Sequence, residues 1–192
     1  FDALGAALGV YRMSRQLKKP VHIILSDFNT GISKFTEGLK AKEGYSELFL
    51  PASRLINITA EKPVLFVVDT HIPHLTASPD LLDRIKDIVV IDHHRRSSNF
   101  IKNARLTYSE PATSSTSELV TELLYYFNED MNLPRLEATA LYAGILVDTK
   151  NFAVQTGVRT FDAAAYLRRC GADPIVVRQM FRSDFETEQA KA

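Results

Sequence analysis

The sequence predicts an α/β fold, a mostly parallel central sheet flanked by helices. Two apolar runs of strand length carry that prediction: Val64-Leu65-Phe66-Val67-Val68 and Ile88-Val89-Val90-Ile91. Neither alternates with polar residues, which is the pattern of parallel strands covered on both faces. Helix-period segments lie between and after them, and parallel strands require such crossovers. A third observation is chemical. Asp69 and Asp92 follow directly on these two runs, and open α/β sheets bind ligands beyond the carboxyl ends of their strands.

Along the chain, residues 3–17 place Leu4, Leu8, Tyr11 and Arg15 near one helical face and stop before Pro20, whose ring cannot continue a helix. Residues 21–25 read as a strand that stops at Ser26-Asp27, residues 36–42 as a short helix stopped by Gly44, and residues 48–50 as another strand. The strand at 64–68 ends in Asp69-Thr70-His71. Ser78 can cap a helix that carries Pro79 in its first turn and runs to Lys86. The strand over 88–91 follows. Beyond Pro111, Thr113-Ser114-Ser115-Thr116 offers several caps ahead of a helix over 118–127. The helix after Pro134 sets Leu141, Ile145 and Asp148 at i, i+4 and i+7, so a carboxylate shares a face with two aliphatics at its end. A helix over 160–169 stops at Gly171, and Pro174 opens a last one over 175–188.

At 192 residues and 45% hydrophobic content the chain has material for one domain core. Its apolar runs are too short to span a membrane. Cys170 is the only cysteine, which excludes an intrachain disulfide and a metal–thiolate cluster. Twenty-three Lys+Arg balance 23 Asp+Glu. A protein that grips long nucleic acid carries a basic surplus or stripe, so the neutral total favours a small phosphorylated substrate. Phe1-Asp2-Ala3 is neither an initiator methionine nor a signal peptide, and the chain reads as part of a longer protein.

The stretch with most chemistry is Asp92-His93-His94-Arg95-Arg96. Carboxylate and imidazole suit divalent metals, and guanidinium suits phosphate oxygens. One Asp after a strand is more often a turn former or a cap. Asp69, Asp92 and Asp148, each ending an apolar run beside His-His-Arg-Arg, are not explained that way, because an unpaired buried carboxylate is costly. Adjacent residues leaving a strand point to different sides, so His93 and His94 take separate roles, and Asp92 can orient an imidazole. Arg95 or Arg96 can clamp phosphate. Ser114, Ser115 and Thr116 cap their helix, whose N-terminus is also a natural phosphate seat. His22 reads as a core residue, His74 as a loop residue, and His71, two positions after Asp69, is open between structure and site.

Four blocks resemble the DHH phosphoesterase superfamily, which includes RecJ-type exonucleases, oligonucleotide phosphatases and family II inorganic pyrophosphatases. They are Asp2-Ala3-Leu4-Gly5, Val68-Asp69-Thr70-His71, Asp92-His93-His94-Arg95 and Gly144-Ile145-Leu146-Val147-Asp148-Thr149. Further stretches are similar to the GdpP-type bacterial cyclic di-AMP phosphodiesterases. These are Ser114-Ser115-Thr116-Ser117-Glu118-Leu119-Val120, Leu136-Glu137-Ala138-Thr139-Ala140-Leu141, Val147-Asp148-Thr149-Lys150-Asn151-Phe152 and Arg159-Thr160-Phe161-Asp162-Ala163-Ala164.

The resemblance implies a DHH catalytic domain over residues 1–173, with residues 174–192 a connecting helix toward a C-terminal domain outside this chain. It implies a two-manganese site in which Asp69 bridges both ions while Asp2, His93 and Asp148 complete one of them. Asp92, His94 and Arg95 are the catalytic set it implies, with Arg96, Ser114, Ser115 and Thr116 as substrate contacts. The implied reaction is hydrolysis of cyclic di-AMP to linear pApA by metal-activated hydroxide. The alternatives are a phosphatase or exonuclease on short oligonucleotides, and a catalytically incomplete nucleotide-binding module. Two departures follow. The family's first motif has a His and an Asp just upstream of the position of Asp2, so the second ion is expected to bind this chain poorly and its activity to be weak. Ile72 stands where the GdpP type carries a basic residue. The resemblance also implies a membrane-anchored parent with this domain in the cytoplasm, no contact with long nucleic acid, and allows a homodimer.

Overall fold

The computed structural model describes residues 1–25, 30–55, 62–128 and 131–191. Helix α1 (Asp2–Gln16) buries Leu4, Leu8 and Tyr11, the face its 3–4 spacing predicts. Its small residues matter as much, since a Cβ on Gly9 would collide with the Val120 side chain. Helices α2 (Thr30–Lys40) and α3 (Ala52–Leu55) precede strand β1 (Val64–Val68). A 3-10 turn (Pro73–Leu75) and α4 (Asp80–Arg84) lead to β2 (Asp87–Asp92), then β3 (Leu106–Ser109). Four helices complete the chain: α5 (Thr116–Phe127), α6 (Arg135–Asp148), α7 (Val158–Arg169) and α8 (Pro174–Lys191).

The sheet is parallel, in the order β1-β2-β3. Val64 pairs with Asp87 through to Val68 with Ile91, and Val89 with Leu106 through to Asp92 with Ser109. All three strands therefore deliver their carboxyl ends to one rim. The expected strands at 21–25 and 48–50 are corrected: among the described residues they share a single parallel bridge, Ile23 to Phe49. Pro20 and Pro51 flank them and limit the ladder to two hydrogen bonds, from Ile23 N to Leu48 O and from Leu50 N to Ile23 O. The stop at Ser26-Asp27 lies outside the described residues. Strand β3 was not expected. Leu-Thr-Tyr-Ser is too short and too polar to register as an apolar run, and it lies at an edge.

Helix boundaries differ where local geometry intervenes. Helix α2 starts at Thr30, ahead of the expected residue 36. The helix near Ser78 has no side-chain cap, and it ends at Arg84 because Ile85 is already extended toward β2. Helix α5 begins at Thr116, where Ser115 takes the cap role by accepting from Glu118 N at 3.0 Å.

Burial on both faces of the sheet also needs correction. Val67, Ile88 and Val90 pack with Leu82 and Ile101 on one side. On the other, α1 and α5 cover only the carboxyl ends of the strands. Val64, Phe66 and Leu106 remain 51%, 41% and 53% exposed, and they line a largely apolar cleft of about 1980 Å³ with Ala3, Ala7 and Val10 of α1. The main core lies above that rim. Ala6, Leu119, Val120, Leu141, Ile145 and Leu167 fill the space between α1, α5, α6 and α7. A second cluster joins Leu4, Leu8, Phe35, Leu39 and Ala143 to Val177 and Met180 of α8. Fully buried Glu137 ties α6 to α1 by accepting from Arg12 Nε and Tyr45 OH, each at 2.7 Å.

Candidate metal centre

Four elements meet at the strand rim: the first turn of α1 brings Asp2, the end of β1 Asp69, the end of β2 Asp92-His93-His94, and the last turn of α6 Asp148. Asp69 is where β1 stops. Its N–H still donates to Ile91 O at 3.0 Å, continuing the ladder, but its φ of 64° turns the chain into the left-handed region. Asp is among the few non-glycine residues that enter that region readily, and such strain gathers at functional sites.

Asp2 is 3% exposed. Its two oxygens accept from Thr116 N and Ser117 N, both at 2.7 Å, so the positive end of α5 holds this carboxylate. That revises the expectation of a phosphate seat. Ser114, Ser115 and Thr116 are at most 1% exposed. Ser114 bonds Glu118, Ser115 caps α5, and Thr116 Oγ1 donates to Asp69 Oδ1 at 3.3 Å. This helix end seats an internal anion.

The structure brings together Asp2, Asp69, His93 and Asp148, with one ligand atom from each within 4.8 Å of the others. At the middle is His93 Nε2, 3.1 Å from Asp148 Oδ2, 3.7 Å from Asp69 Oδ1 and 3.8 Å from Asp2 Oδ2. It is buried, and among the described residues it makes no hydrogen bond of good geometry. An orphaned buried nitrogen aimed at three carboxylates fits a divalent cation, and the mixed oxygen–imidazole donor set suits one. Asp69, His93 and His94 form a second group of ligand type, so Asp69 and His93 belong to both, and Asp69 is the shared carboxylate.

The protein alone resists this concentration of charge. Burial, then the charge of Asp2, pushes the Asp69 carboxyl up to about 9. Burial and Asp148 raise Asp2 as well, against the opposing hydrogen bonds from Ser117. Burial works against charge on His93, but the adjacent Asp148 and Asp2 still raise its pKa above the ordinary imidazole value.

Asp92 stands outside the ligand ring. It is fully buried, and its Oδ1 accepts from His94 Nδ1 at 2.7 Å and His94 N at 3.2 Å. Its Oδ2 is bonded to His71 Nδ1. Burial would raise this carboxyl, yet the hydrogen bonds from His94 and His71 hold it below the usual carboxylate range. His94 has a side-chain exposure of 55% and lines the cleft beside exposed Arg95. Arg96 is braced differently, its guanidinium 4.0 Å above the Phe100 ring. His22 is exposed, with Nδ1 3.0 Å from Glu47 O, which corrects its expected place in the core. His74, expected in a loop, is exposed on the 3-10 turn Pro73–Leu75.

Two contributors escaped the sequence reading, Ser117 behind Asp2 and Gly144, while His71, left open between structure and site, stands in the Asp92 pair. A Cβ on Gly144 would stand 2.8 Å from Asp2 Oδ1 and closer still to Ser117 Oγ, so α6 can approach the ligand only as glycine. The available signal was a glycine inside an otherwise unbroken helical pattern. Gly144→Ala is expected to cost about 1–3 kcal/mol of stability by overpacking and to weaken divalent-ion binding. Urea unfolding and calorimetric titration with Mn²⁺ measure the two effects, and a variant unchanged in both would show the contact to be slack.

Residues 1–145 match the DHH family, N-terminal domain. The chain is 45% identical over 183 residues to the cyclic-di-AMP phosphodiesterase GdpP of Geobacillus thermodenitrificans, covering 94% of this chain and 28% of that protein. It is 41% identical over 189 residues to the cyclic-di-AMP phosphodiesterase PdeA of Listeria monocytogenes, covering 97% and 29%. This chain thus spans less than a third of either relative. Among solved structures, an exopolyphosphatase-related protein from Bacteroides fragilis superposes with a TM-score of 0.72 at 23% identity, covering 96% of this chain and 53% of that one. That likeness concerns the fold.

Proposed function

This chain belongs to the DHH family, and on that premise we propose that it forms the metal-dependent catalytic domain of a phosphodiesterase that opens cyclic di-AMP to linear pApA. The observation that carries the reading is the orphaned His93 Nε2 facing three carboxylates at the rim of a cleft. The substrate is supported by the 41–45% identity to the two named phosphodiesterases.

Asp2, Asp69, His93 and Asp148 would hold one divalent ion, and Asp69, which with His93 is common to both ligand groups, would offer a carboxylate oxygen to a second. Manganese is proposed from the family resemblance, and a donor set of three carboxylates to one imidazole suits it. When bound, the ions supply an activated water and neutralise charge on the phosphoryl oxygens. The remaining work belongs to side chains. Asp92 holds His94 by Nδ1, which leaves Nε2 for the substrate. As the water oxygen bonds to phosphorus and the bond to the 3′ oxygen breaks, the lone pair on His94 Nε2 takes the proton the water loses and passes it to the departing 3′ oxygen. Arg95 and the braced Arg96 contact phosphate oxygens. Ser114, Ser115 and Thr116 act by shaping the α5 terminus that seats Asp2.

Residues 1–173 make up the catalytic domain, and α8 leads out of it. No helix among the described residues is long and apolar enough to cross a membrane. Membrane anchoring of the parent, with this domain in the cytoplasm, rests on the resemblance, as does room for a homodimer. Only one four-ligand set is present among the described residues, so residues 1–192 alone are expected to turn over slowly. The test incubates this chain, and a polypeptide of the relatives' full length, with Mn²⁺ and cyclic di-AMP, cyclic di-GMP or pApA in parallel. Cyclic di-AMP should be consumed fastest, yielding pApA, and EDTA should abolish the reaction. Fastest loss of pApA would make the domain an oligonucleotide phosphatase instead. No turnover of any of the three by the longer polypeptide would overturn the reading.

A further inference from the structure

Asp92 is a fully buried carboxylate with two histidine partners, and they differ in exposure. His94 is solvent-exposed. His71, on the loop after β1, is 8% exposed, and both of its ring nitrogens are engaged. Ser97 N donates to His71 Nε2 at 2.9 Å, so that nitrogen carries a lone pair. The ring proton therefore sits on Nδ1 and is donated to Asp92 Oδ2. His71 is neutral by this geometry, and its backbone is pinned too, its carbonyl accepting from Ile101 N at 2.8 Å.

We infer that His71 is a positioning residue, a buried neutral imidazole that fixes the rotamer of Asp92 and through it the ring orientation and Nδ1–H tautomer of His94. The chemistry is that of a carboxylate with two acceptor faces. With Oδ2 held by His71, Oδ1 is left toward His94, whose side chain and backbone N–H both use it. Without His71, a buried oxygen would lack its donor. Asp92 would then rotate to share its remaining partner, and His94 would lose the bond that keeps Nε2 available to the substrate. Ser97 N–H makes the arrangement directional, because an imidazole that accepts at Nε2 can only donate at Nδ1. His71 touches neither the ligand ring nor the substrate in this assignment.

Asparagine and glutamine separate the two nitrogens. The side-chain amide of His71→Asn reaches the Nδ1 position and keeps a donor to Asp92. That of His71→Gln reaches the Nε2 position and keeps the Ser97 contact alone, while His71→Leu keeps neither. The experiment records the His94 tautomer by ¹⁵N NMR of the imidazole nitrogens in the 192-residue chain, together with kcat, KM and Mn²⁺ affinity. Positioning residues around active-site histidines act at roughly the 10- to 100-fold level, so His71→Gln and His71→Leu should lose kcat by that factor with KM little changed. Both should also show a mixed His94 tautomer at unaltered Mn²⁺ affinity. His71→Asn should recover the Nδ1–H tautomer and most of the lost kcat. The inference rests on the proposed function for its kinetic arm only. The tautomer needs no turnover, so a failure of the substrate reading leaves it decidable. A retained Nδ1–H tautomer at His94 in His71→Gln and His71→Leu overturns the proposal. Equal losses in the Asn and Gln variants do so as well, since they would assign the effect to packing.

Discussion

Asp69→Asn is expected to reduce metal-dependent turnover on the order of 10³-fold, beyond the roughly 10- to 100-fold loss typical of residues that only support a ligand. Asp69 is the carboxylate common to both ligand groups, which also share His93, so one substitution weakens both. The same change should stabilise the metal-free chain by about 1–3 kcal/mol near pH 8. It removes a carboxyl that burial and Asp2 push up to about 9, and asparagine tolerates the left-handed φ of 64° as aspartate does. Losing function while gaining stability separates a ligand from a structural residue. Calorimetric Mn²⁺ titration, turnover and urea melts on the same preparation decide it. Turnover within tenfold of the parent chain would remove Asp69 from the centre.

The metal-free chain should lose stability as pH rises, opposite to the ordinary behaviour of salt-bridged carboxylates. Asp69 holds its proton to about pH 9 in the folded chain, whereas the unfolded chain releases it near the usual value of about 4. Between those values the folded state binds more protons, so folding weakens with a slope approaching about 1.4 kcal/mol per pH unit for one such proton. The raised pKa of Asp2 and that of His93 act in the same direction, the histidine contribution being lost as pH passes its folded value. Asp92 opposes them only in acid, because its carboxyl is held low. A divalent ion reverses the trend, since ligands must be deprotonated to bind it and binding therefore strengthens with pH. Urea midpoints from pH 5 to 9 with EDTA should fall, and with Mn²⁺ should be level or rise. In Asp69→Asn the EDTA slope should flatten. A midpoint rising with pH in EDTA would contradict the assignment of buried, proton-holding carboxylates.

Much of the fold was legible because its signals are local. The runs at 64–68 and 88–91 have no polar residue to break them, so they read as strands, and both are, although β1 leaves Val64 and Phe66 exposed. The face of α1 and the placement of Asp148 at the end of α6 followed from helical periodicity. The failures share one cause: a partner far away in sequence. Residues 21–25 have strand composition, but among the described residues they find only the bridge to Phe49. The short, half-polar β3 exists because β2 offers it a free edge.

The candidate site divides the same way. Sequence by itself determined which chemistry is present, since Asp69, Asp92, His93, His94 and Asp148 announce themselves by type and by position at the ends of apolar runs. Tertiary structure alone decided which groups hold these side chains in place. Thr116 and Ser117 offer their N–H groups to Asp2 across 114 and 115 residues. The absent side chain of Gly144 lets α6 close on that carboxylate. His71 holds Asp92 from a different strand end. Residue type limits what an atom can bind, but hydrogen bonds and metal–ligand bonds form only over a few ångströms. Which donors come within that range is set by the packing of helices against the sheet, and composition or spacing cannot encode it.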